Sequence, residues 1–189
     1  MKSRFIDTLE SYDGSQLVSL RNYLKHQLLG DSIVAWIGPC DVKVDHMVDG
    51  EDLLAGAEIR GELMLHFIVE LFDSSLFAAV GLQRLLAGMV KDVVQLTSKE
   101  SNLTAALRRD GDDVYSGDNK LSISIATQSP TSSLIHFAVN IVNRGTPVPT
   151  ISLQEFNLDA KTLAVEVMHR FCGEIASIRE ATKKVRWVK

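Results

Sequence analysis

Apolar residues along the chain follow two different spacings, which predict a mixture of strands and helices. Residues 32–37 form a short apolar run that stops at Gly38-Pro39, which is typical of a strand covered on both faces. Residues 120–127 alternate apolar and hydroxyl side chains with the period of two that a half-buried strand shows. Further strands are expected over 63–72, 105–109 and 134–142.

The segment 59–72 fits either a helix or a strand by its pattern alone. A helix would place Ile59, Leu63, Phe67 and Leu71 on one face. A strand would separate two sets of side chains: Leu63, Leu65, Phe67, Val69 and Leu71 on one side, and Met64, His66, Ile68 and Glu70 on the other. We adopt the strand, because a family resemblance described below requires it.

Two long helices are predicted over 76–95 and 159–179 from apolar stripes at helical spacing. A shorter helix is expected to begin at Ser15 and to end at Gly30. Internal repeats, low-complexity segments and long linkers are absent from the sequence. These features together predict one α+β domain over residues 1–189, with a mixed β-sheet flanked by helices.

Composition and charge narrow the classes of function. Hydrophobic residues make up 46% of the chain, and the net charge of -4 argues against a general nucleic-acid-binding protein. The sequence has no apolar run long enough to span a membrane and no secretory signal pattern at its start. Two cysteines are too few for a disulfide framework, so a cytoplasmic setting is expected.

The most informative stretch is residues 108–127, which contains two strand-like pieces joined by turns. Asp112 and Asp113 precede Lys120 in a loop region rich in glycine, aspartate and asparagine, residues that tolerate tight turns. Such a loop can hold the lysine close to paired carboxylates. Two interpretations remain open at this point: a plain hairpin with a solvated lysine, or a charged binding site.

Residues 40–52 raise two further candidates. The loop carries five acidic residues and His46, which could hold a hard divalent cation but could equally be solvated. Cys40 follows Gly38-Pro39 and could act as a nucleophile, although a small residue packed at a strand end is the simpler interpretation. We assign no metal site on this basis.

The order of elements from Leu76 onward resembles the catalytic domain of biotin and lipoate protein ligases. The matching parts are an amphipathic helix, the Gly111-Asp112-Asp113 turn, the Lys120-Leu121 loop and a strand that ends in an asparagine-containing segment around Asn140. The whole chain also resembles a cytoplasmic family known only as domain of unknown function three-six-six. Segments 12–17, 38–42, 47–52 and 64–67 carry that second resemblance.

The ligase resemblance implies a site for a small-molecule carboxylate or a nucleotide. It implies that Lys120 and Asp113 are the catalytic pair, and that Lys120 contacts the carboxylate of the acid and the phosphate of its adenylate. It implies binding roles for Arg60, His66 and Asn140, with His66 facing the pocket. The implied activity is acyl or cofactor transfer; the cofactor is unknown, with ATP a candidate, and a homodimer is one expected assembly.

Three departures from the ligase pattern leave an alternative open. The glycine- and arginine-rich loop that covers the adenylate is missing, and only Arg60-Gly61 stands near its place. Ile123 occupies the position of a glycine after the lysine motif, and the cysteine of octanoyl transferases has no counterpart beyond the strand. A non-catalytic module that keeps the fold and the pocket without the chemistry is therefore the second interpretation.

Overall fold

The computed structural model describes residues 1–144 and 146–188. In chain order, the elements are β1 (Lys2–Ile6), α1 (Arg21–His26), β2 (Ser32–Asp41), a 3-10 turn (Val44–His46), α2 (Gly50–Ala55), β3 (Arg60–Phe72), α3 (Leu76–Thr97), α4 (Ser101–Ala105), β4 (Leu107–Asp110), β5 (Asp113–Ser116), β6 (Asn119–Lys120), β7 (Ser122–Gln128), β8 (Ser132–Val142) and α5 (Ala160–Lys183). This is the expected α+β architecture, and the strand proposed for 63–72 is confirmed.

Five strands form one mixed sheet in the order β1-β2-β3-β8-β7. β1 lies parallel to β2, while all the other neighbours are antiparallel. Strands β4, β5 and β6 form a small second sheet of their own. Because β3 and β8 are the central strands, both of their faces are covered and their side chains are almost all buried.

Helices α3 and α5 cover one face of the sheet and enclose the main core. The alternation predicted for β3 is present, since Leu65, Phe67 and Val69 point into this core while Met64 and Ile68 belong to a smaller cluster. Asp159 begins α5, and its carboxylate accepts a hydrogen bond from the Thr162 backbone N–H at 2.8 Å. The described residues include no helix that is long and apolar enough to cross a membrane.

The other face of the sheet is covered by the N-terminal segment instead of long helices. Tyr12 and Leu28 pack there against Val34, Trp36 and neighbouring apolar side chains. The backbone of residues 10–12 runs beside β2, where the Tyr12 N–H donates to the Pro39 carbonyl at 2.8 Å. This segment therefore forms one wall of any cavity on that face of the sheet.

A bulge in β2 allows this close approach. The register with β3 shifts between Gly38 and Cys40. A Cβ at Gly38 would lie 1.8 Å from the Glu10 carbonyl oxygen, so no residue other than glycine fits without backbone movement. The sequence pattern ended the strand at Ile37, whereas β2 continues through the bulge to Asp41.

In the N-terminal third, one expectation was wrong and one strand was missed. The helix expected from Ser15 to Gly30 is limited to Arg21–His26, because Leu20 adopts a left-handed conformation (φ 64°) and its N–H donates to the buried Glu70 carboxylate at 2.7 Å. Strand β1 was not predicted at all. It is an edge strand whose first three residues are exposed, so its sequence lacks a clear apolar alternation.

Candidate functional site

A cavity of about 380 Å³ lies on the sheet face opposite α3 and α5. Its floor is formed by side chains of β3, β7 and β8, and its walls by the loops 42–59 and 146–150 together with Tyr12. Four of the five residues to which the ligase resemblance gave catalytic or binding roles line it: Arg60, Asp113, Lys120 and Asn140. The cavity is therefore the candidate site.

Lys120 and Asp113 form an ion pair in the wall of this cavity. The Lys120 Nζ lies 2.7 Å from the Asp113 Oδ2, and the two side chains are 26% and 20% exposed. Burial raises the pKa of Asp113, and the hydrogen bond from Lys120 opposes this effect. The proximity suggested by the sequence spacing is present, and the lysine is a half-buried group instead of a freely solvated one.

Hydrogen bonds to the 149–151 segment and to β8 fix the backbone around Lys120. Its N–H donates to the Pro149 carbonyl at 3.0 Å, and its own carbonyl accepts from the Ile151 N–H at 3.1 Å. The buried Asn140 side chain on β8 also donates to the Lys120 carbonyl, at 3.2 Å, and to the Ile151 carbonyl, at 3.3 Å. Asn140 thus holds the lysine segment against the sheet, since its amide group bridges the backbone carbonyls of Lys120 and Ile151.

Asp112 is anchored separately from Asp113. Its Oδ2 accepts from Gln83 Nε2 and from Ser124 Oγ, both at 2.7 Å. Gln83 belongs to α3, so a polar contact links the long helix to the cavity wall. Two adjacent carboxylates therefore face the site, one hydrogen-bonded to neutral groups and one paired with a cation.

Arg60 lines the cavity, whereas His66 does not. Arg60 lines the mouth of the cavity, but it is exposed and pairs with Glu58 at 2.9 Å. His66 is fully buried and does not line the cavity, so the expectation that it faces the pocket was wrong. The side chain packs between Trp36 and Tyr12 because the adjoining N-terminal segment covers that part of the sheet.

Two residues missed at the sequence level stand closer to the cavity than His66. His136 of β8 and Tyr12 both line it, with their rings stacked at a centroid distance of 3.6 Å and an angle of 9°. The period of two in residues 134–142 places His136 on the same side as Asn140, and that pattern alone could have identified it. Tyr12 had no comparable sequence pattern, because its position depends on the path of a loop.

Asp49 of the acidic loop and Cys40 both have defined surroundings in the structure. Asp49 caps α2, where its carboxylate accepts from the N–H groups of Glu51 and Asp52 at 2.8 and 3.2 Å. Within the described residues, no group of three or more histidine, cysteine, aspartate or glutamate side chains is arranged so that it could hold a metal ion. Cys40 is buried, and burial raises the pKa of its thiol to about 12, which leaves the nucleophilic thiolate scarce at neutral pH.

Negative charge predominates among the ionisable side chains that line the cavity. The acidic members are Asp49, Asp52, Glu58, Asp112 and Asp113. Besides the two histidines, His46 and His136, the basic members are Arg60 and Lys120, and each of these two is already paired with one of those carboxylates. A ligand with several negative charges would therefore meet net repulsion in the absence of cations.

The sequence profile of one protein family covers almost the entire chain. The profile, described as a domain of unknown function (DUF366), matches residues 1–186. The chain belongs to the DUF366 family. An uncharacterized protein of Methanocaldococcus jannaschii is 29% identical over 95% of this chain and 82% of its own length.

Solved structures extend the comparison. A protein of unknown function from Pyrococcus horikoshi is 36% identical to this DUF366 chain, with a TM-score of 0.88 over 98% of this chain and all of the other. A biotin protein ligase from Aquifex aeolicus, solved in complex with biotin and ATP, has a TM-score of 0.61 at 16% identity, over 94% of this chain and 72% of the ligase. The DUF366 chain therefore has a biotin-ligase-like fold, as its sequence resemblance implied.

Proposed function

We propose that the cavity binds a small-molecule carboxylate, either a free acid or its acyl-adenylate, and that this binding serves acyl or cofactor transfer. The observation that carries the proposal is the position of Lys120 in the cavity wall: Asp113 pairs with its ammonium group, while Asn140 and the 149–151 segment hold its backbone. A fixed cation beside an apolar cavity is suited to an anionic head group with an apolar tail.

Lys120 is the proposed electrostatic anchor. An ammonium group has three N–H donors, and Asp113 accepts only one hydrogen bond in this arrangement. A ligand carboxylate could therefore bind as a second partner without displacing Asp113. In a transfer reaction the same charge would stabilise the negative charge that develops on the acyl group.

The remaining residues have supporting roles in this proposal. Asn140 positions the Lys120 backbone and is one of the residues that line the cavity. Arg60 at the mouth can contact the distal part of a ligand, once Glu58 releases it. His66 acts through His136, since it has no surface in the cavity.

A second candidate function is a non-catalytic module that binds a small ligand. Two observations favour it: the chain lacks the glycine- and arginine-rich loop of the ligases, and the cavity lining is net acidic. Both features disfavour a polyphosphate, which a ligase needs to activate an acid. The solved ligases bind biotin and ATP, but similarity at 16% identity concerns the fold alone.

A thermal-shift screen tests the binding that both candidates share. The purified protein would be heated with biotin, lipoate, octanoate and ATP, each with and without magnesium. An acid that binds only the native state raises the melting temperature, by an amount set by its concentration relative to Kd. A screen in which no acid raises the melting temperature would remove the shared proposal.

A turnover assay separates the two candidates. Protein, ATP, magnesium and any acid found in the screen would be incubated, and the products analysed by mass spectrometry for acyl-adenylate and pyrophosphate. The transfer enzyme forms both products, whereas the binding module retains the acid and leaves ATP intact. The cytoplasmic setting and the homodimer belong to the same proposal, and sedimentation velocity measures the latter directly.

A further inference from the structure

Two histidines and a backbone carbonyl form a buried hydrogen-bonded chain beneath the cavity. His66 Nε2 lies 3.1 Å from the Gly38 carbonyl oxygen, and His66 Nδ1 lies 3.1 Å from His136 Nε2. Both imidazoles are buried, and His136 is the one whose ring reaches the cavity lining. These hydrogen bonds thus run from the bulge in β2, through β3, to the floor of the cavity.

Hydrogen-bond chemistry fixes the proton positions along this chain. The Gly38 carbonyl can only accept, so His66 must carry its proton on Nε2. In a neutral imidazole the other nitrogen is then an acceptor, so His136 must donate from Nε2 to His66 Nδ1. His136 is consequently unprotonated at Nδ1, the ring nitrogen that its contact with His66 does not use.

The surrounding structure keeps both rings neutral and in place. Burial lowers the pKa of His66 to about 4, and burial together with the neighbouring His66 lowers the pKa of His136 well below its ordinary value. Tyr12 stacks on His136 in a near-parallel arrangement and is itself held by backbone hydrogen bonds to Pro39 and Asp41. The His136 ring therefore has little freedom to rotate or to exchange its tautomer.

We propose that His136 Nδ1 is a preset hydrogen-bond acceptor for the ligand, so that the cavity selects carboxylic acids that carry an additional O–H or N–H donor. This inference rests on the proposed function, in which Lys120 binds the carboxylate. Lys120 and His136 then recognise two different groups of one molecule: an anion and a neutral donor. An acid with a purely hydrocarbon tail would cover this acceptor without offering it a donor, which costs affinity.

The tautomer is tested first, without any ligand. Protein labelled with nitrogen-15 in histidine would be studied by long-range proton–nitrogen correlation spectra at neutral pH. Assignments come from single variants of the five histidines. We expect His66 and His136 both to be neutral and protonated at Nε2. A proton on His136 Nδ1 overturns the inference, whatever the outcome of the ligand screen.

Selectivity is tested with matched acids and a matched variant. Octanoate and a series of octanoates bearing one hydroxyl group would be titrated against wild type and His136→Phe, which keeps an aromatic ring below Tyr12. The best hydroxy acid should bind wild type about tenfold more tightly than octanoate, and the variant should lose this preference. His169→Phe, on the exposed face of α5, is the control that should retain it.

The outcomes separate the two proposals. Equal binding of octanoate and all hydroxy acids by wild type, or a preference that survives in His136→Phe, overturns the role of His136 while leaving Lys120 as the anchor. Failure of every acid to bind overturns the proposed function and the selectivity with it. Circular dichroism of His136→Phe verifies that its fold is intact, and His136→Gln provides a smaller polar replacement if the phenylalanine variant unfolds.

Discussion

At the scale of single residues, Lys120 is the side chain whose removal separates binding from folding. Lys120→Ala should reduce the free energy of unfolding by about 1 kcal/mol, because it leaves the half-buried Asp113 without its partner. Affinity for the acid should fall by about ten- to a hundredfold, since a charge-assisted hydrogen bond is lost. Isothermal titration and urea unfolding measure the two quantities.

Lys91 provides the matched control for this variant. It is also ion-paired, to Asp92 at 2.9 Å, and its side chain is 25% exposed against 26% for Lys120, but it lies outside the cavity. Lys91→Ala should lower stability by a comparable or smaller amount and leave acid affinity unchanged. If the two alanine variants bind the acid equally well, Lys120 is not the anchor.

Asp113→Asn should have the opposite effect on binding. The amide preserves the shape of the side chain but no longer neutralises Lys120, so the full positive charge is available to a ligand carboxylate. We expect affinity for the acid to rise several-fold. If turnover is detected, a fall in rate alongside this tighter binding would assign Asp113 to the chemical step. Unchanged affinity would mean that Asp113 does not compete with the ligand for the lysine.

The buried histidines predict a pH dependence of stability. The pKa of His66 is about 4 in the folded protein against an ordinary value of 6.5, so the unfolded chain binds more protons between these values. The stabilisation is complete above about pH 6.5 and is lost as pH falls toward 4, by an amount on the order of 3 kcal/mol. Urea unfolding at pH 7 and pH 5 measures it.

The non-titrating variant His66→Asn tests that origin. Its free energy of unfolding should be lower than that of wild type at pH 7 but should fall less steeply toward pH 5. His169→Asn, at an exposed position of α5, should follow the wild-type curve. Parallel curves for wild type and His66→Asn would assign the acid sensitivity to other groups.

Residue-level prediction succeeded where the site is local in sequence. Asp113 and Lys120 are joined by one short turn region, so the spacing of the two residues and the turn chemistry of the loop were enough to bring them together. Tyr12 and His136 are far apart in the chain, and their stacking depends on the packing of an N-terminal loop. Only tertiary structure determines that contact, and the sequence pattern carried no trace of it.

At the scale of elements, the bulge in β2 determines where the N-terminal segment and the histidine chain lie. Gly38→Ala should lower the free energy of unfolding by about 3 kcal/mol or more, because the new Cβ would meet the Glu10 carbonyl at 1.8 Å and backbone would have to move. Urea unfolding followed by circular dichroism measures the change.

Gly88 of α3 is the matched control for this substitution. A Cβ there meets no atom within 4 Å, and the residue lies inside a helix. Gly88→Ala should therefore stabilise the protein by about 0.5–1 kcal/mol, since alanine has the higher helix propensity. A Gly38→Ala variant as stable as wild type would show that the segment 10–12 is not held at the bulge.

Elements with a repeating pattern were predicted well, and elements defined by their partners were not. Helix α5 has a clear apolar periodicity over many residues, so its type and most of its buried side chains followed from the sequence. The pattern of β3 also fitted a helix, and the family resemblance decided for the strand that the structure shows. Strand β1 is defined by its pairing with β2, and α1 is shortened by the hydrogen bond between Leu20 and Glu70. Such long-range contacts override local propensity.

At the scale of the whole molecule, the negative cavity predicts how ligand charge affects binding. The chain has a net charge of -4, and five carboxylates line the cavity against two cations. Electrostatic repulsion grows with the charge of the ligand, so ATP should be disfavoured far more than a monocarboxylate. In low salt without magnesium, we expect ATP to bind at least about tenfold more weakly than the acid.

Neutralising one carboxylate at the mouth tests this prediction. Glu58→Gln removes a negative charge that lies beside Arg60 and frees that cation. It should strengthen ATP binding several-fold while changing acid affinity little, because the effect scales with the several charges of the triphosphate. Isothermal titration at two salt concentrations measures both ligands, and added salt should diminish the difference. Equal gains in affinity for ATP and for the acid in the variant would contradict a charge effect. Tight ATP binding by wild type without magnesium would favour the transfer enzyme over the binding module.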